Sequence, residues 1–212
     1  GDGGSSVLDA VDDVTPTANE EAWADVTGAS AAPGGTGGLN MFHYSNSSLM
    51  DGVKLSASYT PSNGTTEVES SSDYGIEYTG VEGLTIGVAQ GEDNTSATAG
   101  IETTNMYIKY AMDSITVGFQ TSEDDSETAN SDIDFSAIGV SYAVSDDMSI
   151  SLNSSTHDYE SATLSDQEAL GISISYTMGS MTLTANHNQI DNLAGSADKD
   201  RSGYAMSLGF AF

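Results

Sequence analysis

Apolar and polar residues alternate along this chain from residue 39 to its last position. In "VKLSASYT", Val53, Leu55, Ala57 and Tyr59 share one face, and Lys54, Ser56, Ser58 and Thr60 the other. The same period of two runs through "YGIEY" (74–78), "LTIGV" (84–88), "MYIKY" (106–110), "ITVGF" (115–119) and "AIGVSY" (137–142). It continues in "MSISL" (148–152), "LGISISY" (170–176) and "MTLTA" (181–185). With "LNMFHY" (39–44) and the closing "SGYAMSLGFAF" (202–212), the pattern predicts eleven strands, because side chains on a strand point to opposite faces in turn. Between them, short connections such as "TGVEG", "AMDS" and "TMGS" alternate with long ones such as "GEDNTSATAGIETT" and "THDYESATLSDQ". The long ones are rich in Ser, Thr, Asn, Gly and Asp, the composition of loops. Strict short–long alternation describes an antiparallel up-and-down meander, with turns at one end and loops at the other.

Such a pattern suits a soluble sandwich or barrel with its apolar face inward. It equally suits an inverted barrel, apolar outward to lipid and polar inward to water. Three features favour inversion. The polar face is built from Ser, Thr, Gly and Asn, where a soluble surface carries mixed Lys and Glu. Tyr44, Tyr78, Tyr110, Tyr142 and Tyr176 each end a strand before a short turn. A ring of Tyr suits a membrane interface, with the ring in lipid and the hydroxyl in water. Charge is confined mostly to loops and turns. The fold class expected is therefore all-β: a transmembrane antiparallel up-and-down β-barrel.

Composition sharpens this. The chain has 212 residues, 32 of them acidic and 4 basic, for a formal charge of −28, yet only 17% are charged. Nothing here could displace counterions from phosphates, so nucleic acid is not an expected partner. There is no cysteine, hence no disulfide framework, and no apolar run of about 18 residues for a transmembrane helix. The opening "GDGGSSVLDAVDD" is neither basic nor apolar, unlike a signal peptide.

The segment "LNMFHYSNSSLMDGVKLSASY" resembles the stretch after the constriction loop of Gram-negative general porins, where an Asn, a Tyr and a Ser open the strand, here Asn40, Tyr44 and Ser45. The closing strand, through Tyr204, Phe210 and the terminal Phe212, resembles the signal by which the outer-membrane barrel assembly machinery recognises its substrates. The resemblance covers about residues 36–212. It implies a 16-stranded barrel in outer-membrane lipid, a homotrimer, and a long loop folded into the pore. Eleven strands is an odd number, whereas bacterial single-chain barrels are even. Counted back from Phe212, these strands are the sixth to sixteenth of sixteen. Residues 1–38 are then most of the pore-constricting loop, residues 39–212 the barrel strands, and the first five strands are lacking. The alternative is a whole 12-stranded barrel with "SSVLDAV" as its first strand.

Sixteen strands leave a water-filled channel. The inward positions expected from the alternation are small or polar: Gly75, Gly87, Gly118, Gly139, Ser151, Ser173 and their like. The family's eyelet sets acidic loop residues against a basic wall. Here the loop offers Asp9, Asp12, Asp13, Glu20, Glu21 and Asp25, and the strands contribute Lys54, Glu77 and Lys109. Most of the basic side is absent, which points to passive diffusion of small hydrophilic solutes and ions, with cations preferred. General acidity from adaptation to saline water explains the charge as well. The alternative function is a structural or adhesive barrel whose acidic loops bind cations or a partner. The expectation is no enzyme, no cofactor and no metal site. His43, His157 and His187 lack ligand spacing. "SEDDSE" (122–127) could hold Ca²⁺ but lacks the 12-residue ligand pattern. In "NSSTHDYE", Ser155, His157 and Asp158 are too close along one strand to form a usable triad.

Overall fold

The computed structural model describes residues 2–35, 38–62, 69–94 and 100–211. Two short strands, β1 (Asp2–Gly4) and β2 (Gly38–Leu39), pair with each other and bracket an irregular segment. Eleven further strands follow in one antiparallel sheet: β3 (Phe42–Met50), β4 (Val53–Thr60), β5 (Ser71–Val81), β6 (Leu84–Asp93), β7 (Ile101–Met112), β8 (Ile115–Ser126), β9 (Ile133–Ser145), β10 (Met148–Tyr159), β11 (Gln167–Met178), β12 (Met181–Asp191) and β13 (Arg201–Phe210). Each strand pairs with its neighbours in sequence, so the sheet is a pure meander with β3 and β13 at its edges. The expected strands are all present. Two-residue turns (51–52, 82–83, 113–114, 146–147, 179–180) alternate with longer connections, of which 127–132, 160–166 and 192–200 lie wholly within the described residues. Gly52, Gly83 and Gly179 turn with positive φ, where a Cβ would be strained.

The strands run further into the loop side than their sequence suggests. "SEDDS" (122–126) belongs to β8 and "THDY" to β10, not to loops; only Glu127 of the acidic run lies beyond the strand. Beyond the apolar band an outward side chain need not be apolar, so composition turns loop-like while the hydrogen-bond ladder continues. β3 also departs from expectation. It extends through "SNSSLM" to Met50, with an irregular register between Asn46 and Met50, instead of ending at Tyr44.

The sheet is inverted relative to a soluble one. Its large apolar residues point outward and stay exposed: Ile108, Phe119, Ile138, Leu152, Leu170 and Ile172 are 43–56% accessible. The opposite face is polar and buried. Ser58, Asn105, Gln120, Asn153, His157, Gln167, Ser173 and Asn188 are all 5% accessible or less. What covers them is the segment 5–35, laid across that face.

Tyr78, Tyr110, Tyr142 and Tyr176 hold equivalent positions near the turn end. They pair with the first residues of β4, β6, β8 and β10: Val53, Leu84, Ile115 and Met148. Phe210 takes the fifth such position, opposite Met181. Tyr44 does not join this row. It pairs with Ala57, well above its turn, because β3 continues for six more residues. Tyr204 is exposed near the loop end of β13, opposite His187, and Phe212 lies outside the described residues.

Candidate functional site: a segment laid on the polar face

The segment between β1 and β2 has no ladder of its own, so its backbone polar groups must find partners elsewhere. They find them on the polar alternates of the strands. From the N-terminal end, Ser58 Oγ accepts from Val7 N at 2.9 Å and Gln120 Oε1 from Val14 N at 3.2 Å. Gln120 Nε2 in turn donates to the Val11 and Asp12 carbonyls. Further along, Asn153 donates to Pro16 O at 2.9 Å, and Ser151 and Ser173 accept from Ala18 N and Asn19 N. Asn188 Nδ2 donates to both Glu21 O (3.0 Å) and Ala24 O (2.6 Å). The chain then turns back. Gln167 both accepts from Ser30 N and donates to Ser30 O, and the His157 ring nitrogen Nε2 lies 2.7 Å from Ala31 O. The segment thus crosses from β4 to β12 and returns to β10 and β11.

Close approach of this backbone depends on missing side chains. A Cβ at Gly118 would stand 2.4 Å from Pro16 Cδ, one at Gly171 2.7 Å from Ala22 Cα, and one at Gly203 2.4 Å from Asp25 O. Of the inward glycines expected to keep a pore open, Gly75, Gly118 and Gly139 admit the segment, while Gly87 makes room for the Tyr107 ring; Gly171 and Gly203, not singled out by sequence, extend the track. Three small apolar clusters complete the contact: Val7 and Leu8 on Ala89; Ala22 and Val26 on Ala169, Ile190 and Leu193; Ala32 and Trp23 on Phe135 and Ala137. Trp23 meets Phe135 edge-on at 5.3 Å.

The six acidic residues expected of the loop fall into two groups. Asp9, Asp12 and Asp13 lie on the first half of the segment. Asp12 is half-buried against Gly34, and burial, reinforced by Asp13 and Asp9, pushes its carboxyl up to about 7. Burial also raises Asp13. Glu20, Glu21 and Asp25 lie on the second half. Burial pushes Glu21 up to about 7, and burial with the nearby Asp25 and Asp13 charges raises Glu20. Asp25 accepts a hydrogen bond from Asn186 at 3.0 Å and is exposed, in a left-handed conformation (φ 57°).

Lys54, Glu77 and Lys109 come together beneath the first half. Lys54 is directly opposite Glu77 across β4 and β5. Tyr107, not singled out by sequence, donates from its hydroxyl to Glu77 at 2.6 Å, and Lys109 Nζ lies 5.7 Å from the centre of its ring. Tyr107 reaches Glu77 by lying over Gly87, where a Cβ would stand 2.2 Å from its ring. Sequence reasoning also missed the buried amides Gln120, Asn153, Gln167 and Asn188. Their signal was present: Asn is depleted in strands, yet it recurs at the polar alternates of these. Among the described residues no group of His, Asp or Glu is arranged to hold a metal ion. His157 is a contact of the segment, and Ser155 shares its face while Asp158 is exposed on the other.

Solved structures share this architecture. An anion-selective porin from Comamonas acidovorans superposes with a TM-score of 0.69 at 13% identity, over 93% of this chain and 66% of that one. OmpT of Vibrio cholerae gives 0.66 at 12% identity, over 98% and 75%. OmpF of Salmonella typhi, solved with daunomycin, gives 0.64 at 12%, over 84% and 62%. The chain spans about two thirds of the length of these porins. Among curated proteins none matches the sequence. The Gram-negative porin family profile, however, matches residues 4–212, nearly the whole chain. An outward apolar band, an inward polar face and that match have one meaning together: the chain belongs to the Gram-negative porin family and resides in the outer membrane.

Proposed function

We propose that the complete protein is a water-filled channel for passive diffusion of small hydrophilic solutes and ions, with cations preferred. Residues 5–35 act as its constricting loop, and the protein assembles as a homotrimer after recognition of the closing strand by the barrel assembly machinery. The observation that carries this reading is the segment itself. It lies on the face turned away from lipid and carries Asp9, Asp12, Asp13, Glu20, Glu21 and Asp25 with it. In a narrow aqueous passage, fixed charge of one sign concentrates counterions and selects among permeating ions. On the described wall only Lys54, Glu77 and Lys109 of the strands line the hollow under the segment's first half as charged groups, so the acidic side outweighs the basic. The row of Tyr78, Tyr110, Tyr142, Tyr176 and Phe210 acts as the aromatic girdle of the periplasmic interface.

The test is conductance of the full-length protein in planar bilayers under a KCl gradient. Large steps with a reversal potential on the cation side support the reading. Steps without cation preference assign the charge to surface hydration, and a folded barrel that gives no steps overturns the channel in favour of a structural role.

A further inference from the structure

Lys54, Glu77, Gly87 and Tyr107 stand in one row of the sheet, each cross-strand partner of the next. Directly opposed residues have Cβ atoms about 5 Å apart, so Lys54 and Glu77 are neighbours on the polar face. Tyr107 reaches across the gap at Gly87 and fixes the Glu77 carboxylate by its hydrogen bond. Lys109 closes the other side over the Tyr107 ring. Two of the chain's four basic residues thus flank one oriented carboxylate, in a protein of formal charge −28.

This cluster faces a cavity of about 180 Å³. Its other wall is apolar, formed by Val7, Ala10, Val11 and Val14 of the segment, with the inward Ala89 of β6 packed against Val7; His43 and Ser56 also line the hollow. The cavity is therefore two-sided: a cation–anion–cation array below and an aliphatic roof above. A small anion alone would meet Glu77 as well as the lysines, and an apolar solute would leave all three charges unanswered. A molecule that carries both charged groups on one carbon and an aliphatic group beyond them answers the charged floor and the aliphatic roof together.

We propose that this cavity is a transit subsite for zwitterionic amino acids with aliphatic side chains. The solute carboxylate sits between the Lys54 and Lys109 ammonium groups, its ammonium on Glu77, and its side chain under Val7, Val11 and Val14. As a subsite of a conducting pore it rests on the channel reading; as a binding site it does not. Tyr107 is a positioning residue, because it acts through Glu77.

The test uses full-length protein folded in detergent, with folding checked by heat-modifiable electrophoretic mobility, and equilibrium dialysis of radiolabelled leucine. Saturable binding is expected, weakened tenfold or more by Lys54→Gln, Lys109→Gln or Glu77→Gln, since each removes a charge-assisted contact. Lys199→Gln, in the loop before β13, leaves it unchanged. Competition by 4-methylpentanoate or isopentylamine, each with one of the two charges, requires at least tenfold higher concentration than leucine. Absence of saturable binding, or binding to the three variants as tight as to the unsubstituted protein, overturns the site. Equal competition by 4-methylpentanoate overturns the zwitterion assignment and leaves an anion site. Conductance measured on the same preparation separates the two readings: steps without leucine binding sink the subsite alone, and binding without steps sinks the channel alone.

Discussion

Replacing Asn188 with Ala releases the second half of the segment while leaving the sheet intact. Asn188 is fully buried, and its Nδ2 satisfies the Glu21 and Ala24 carbonyls. Removing it strips a donor from two carbonyls, each worth about 1.5 kcal/mol when left unpaired. The same substitution deletes Asn188 Oδ1, which has no partner among the described residues, and so recovers about 1 kcal/mol. The net cost is about 2 kcal/mol, or roughly a thirtyfold rise in the open population of this half, at about 1.4 kcal/mol per factor of ten. Amide exchange of the full-length protein, followed by mass spectrometry, reads that population. Ala18, Asn19, Ala24, Ala29 and Ser30 all donate their amides within the docked half and should exchange about thirtyfold faster. Ala10 and Val11, bonded to Ser6 and Leu8 in the first half, should not change. Exchange at 18–30 within twofold of the unsubstituted protein would refute the claim that Asn188 pins the segment. Uniform acceleration through residues 10–11 and the strands would refute its locality.

Two further expectations concern charge and the lipid face. Asp12 and Glu21 are pushed up to about 7 by burial, so both are neutral in the folded protein below that value and charged above it. Cation preference, read as reversal potential, should therefore fall as pH drops from 8 to 5, most steeply near 7. Docking carries the matching sign: a carboxyl raised from its ordinary value of 3.8 favours the docked state fully below about 4, and this is lost as pH rises through about 7. Segment amide exchange should thus speed up between pH 4 and 8 beyond the intrinsic rate, and a flat corrected rate would contradict the burial. On the outward face, Ile172→Arg should cost about 2–4 kcal/mol in chemical unfolding from bilayers, as expected of a cation held in lipid. Thr184→Arg on the polar alternate of the adjacent β12 should cost markedly less; equal costs would refute the inverted orientation.

The period of two was strong enough to be read residue by residue. Once Ile108, Tyr110, Val117 and Phe119 fall on one face and Lys109 and Gly118 on the other, strand number, antiparallel order and the sidedness of each strand follow from pleat geometry alone. Composition settled the orientation, because a polar face of Ser, Thr and Gly with few charges is a poor soluble surface. Strand ends were less legible. Thr121–Ser126 and Ser45–Met50 are strand written in loop composition, and a ladder made by the backbone leaves no mark on side-chain choice.

The site divides the same way. Sequence alone could nominate Asp9, Asp12, Asp13, Glu20, Glu21, Asp25, Lys54, Glu77 and Lys109 as charges in the right segments. It could not say that Lys54 and Glu77 are cross-strand neighbours, or that Tyr107 spans Gly87 to hold Glu77, because these are facts of register. Nor could it say where residues 5–35 lie. That segment has no periodicity of its own; its path is fixed by pairings more than 100 residues apart in sequence, such as Val14 with Gln120 and Ala24 with Asn188. Alternation is a local property and determined the wall. The course of the segment across it is set by long-range hydrogen bonds and by the absence of Cβ atoms at Gly118, Gly171 and Gly203, and only the folded chain brings those together.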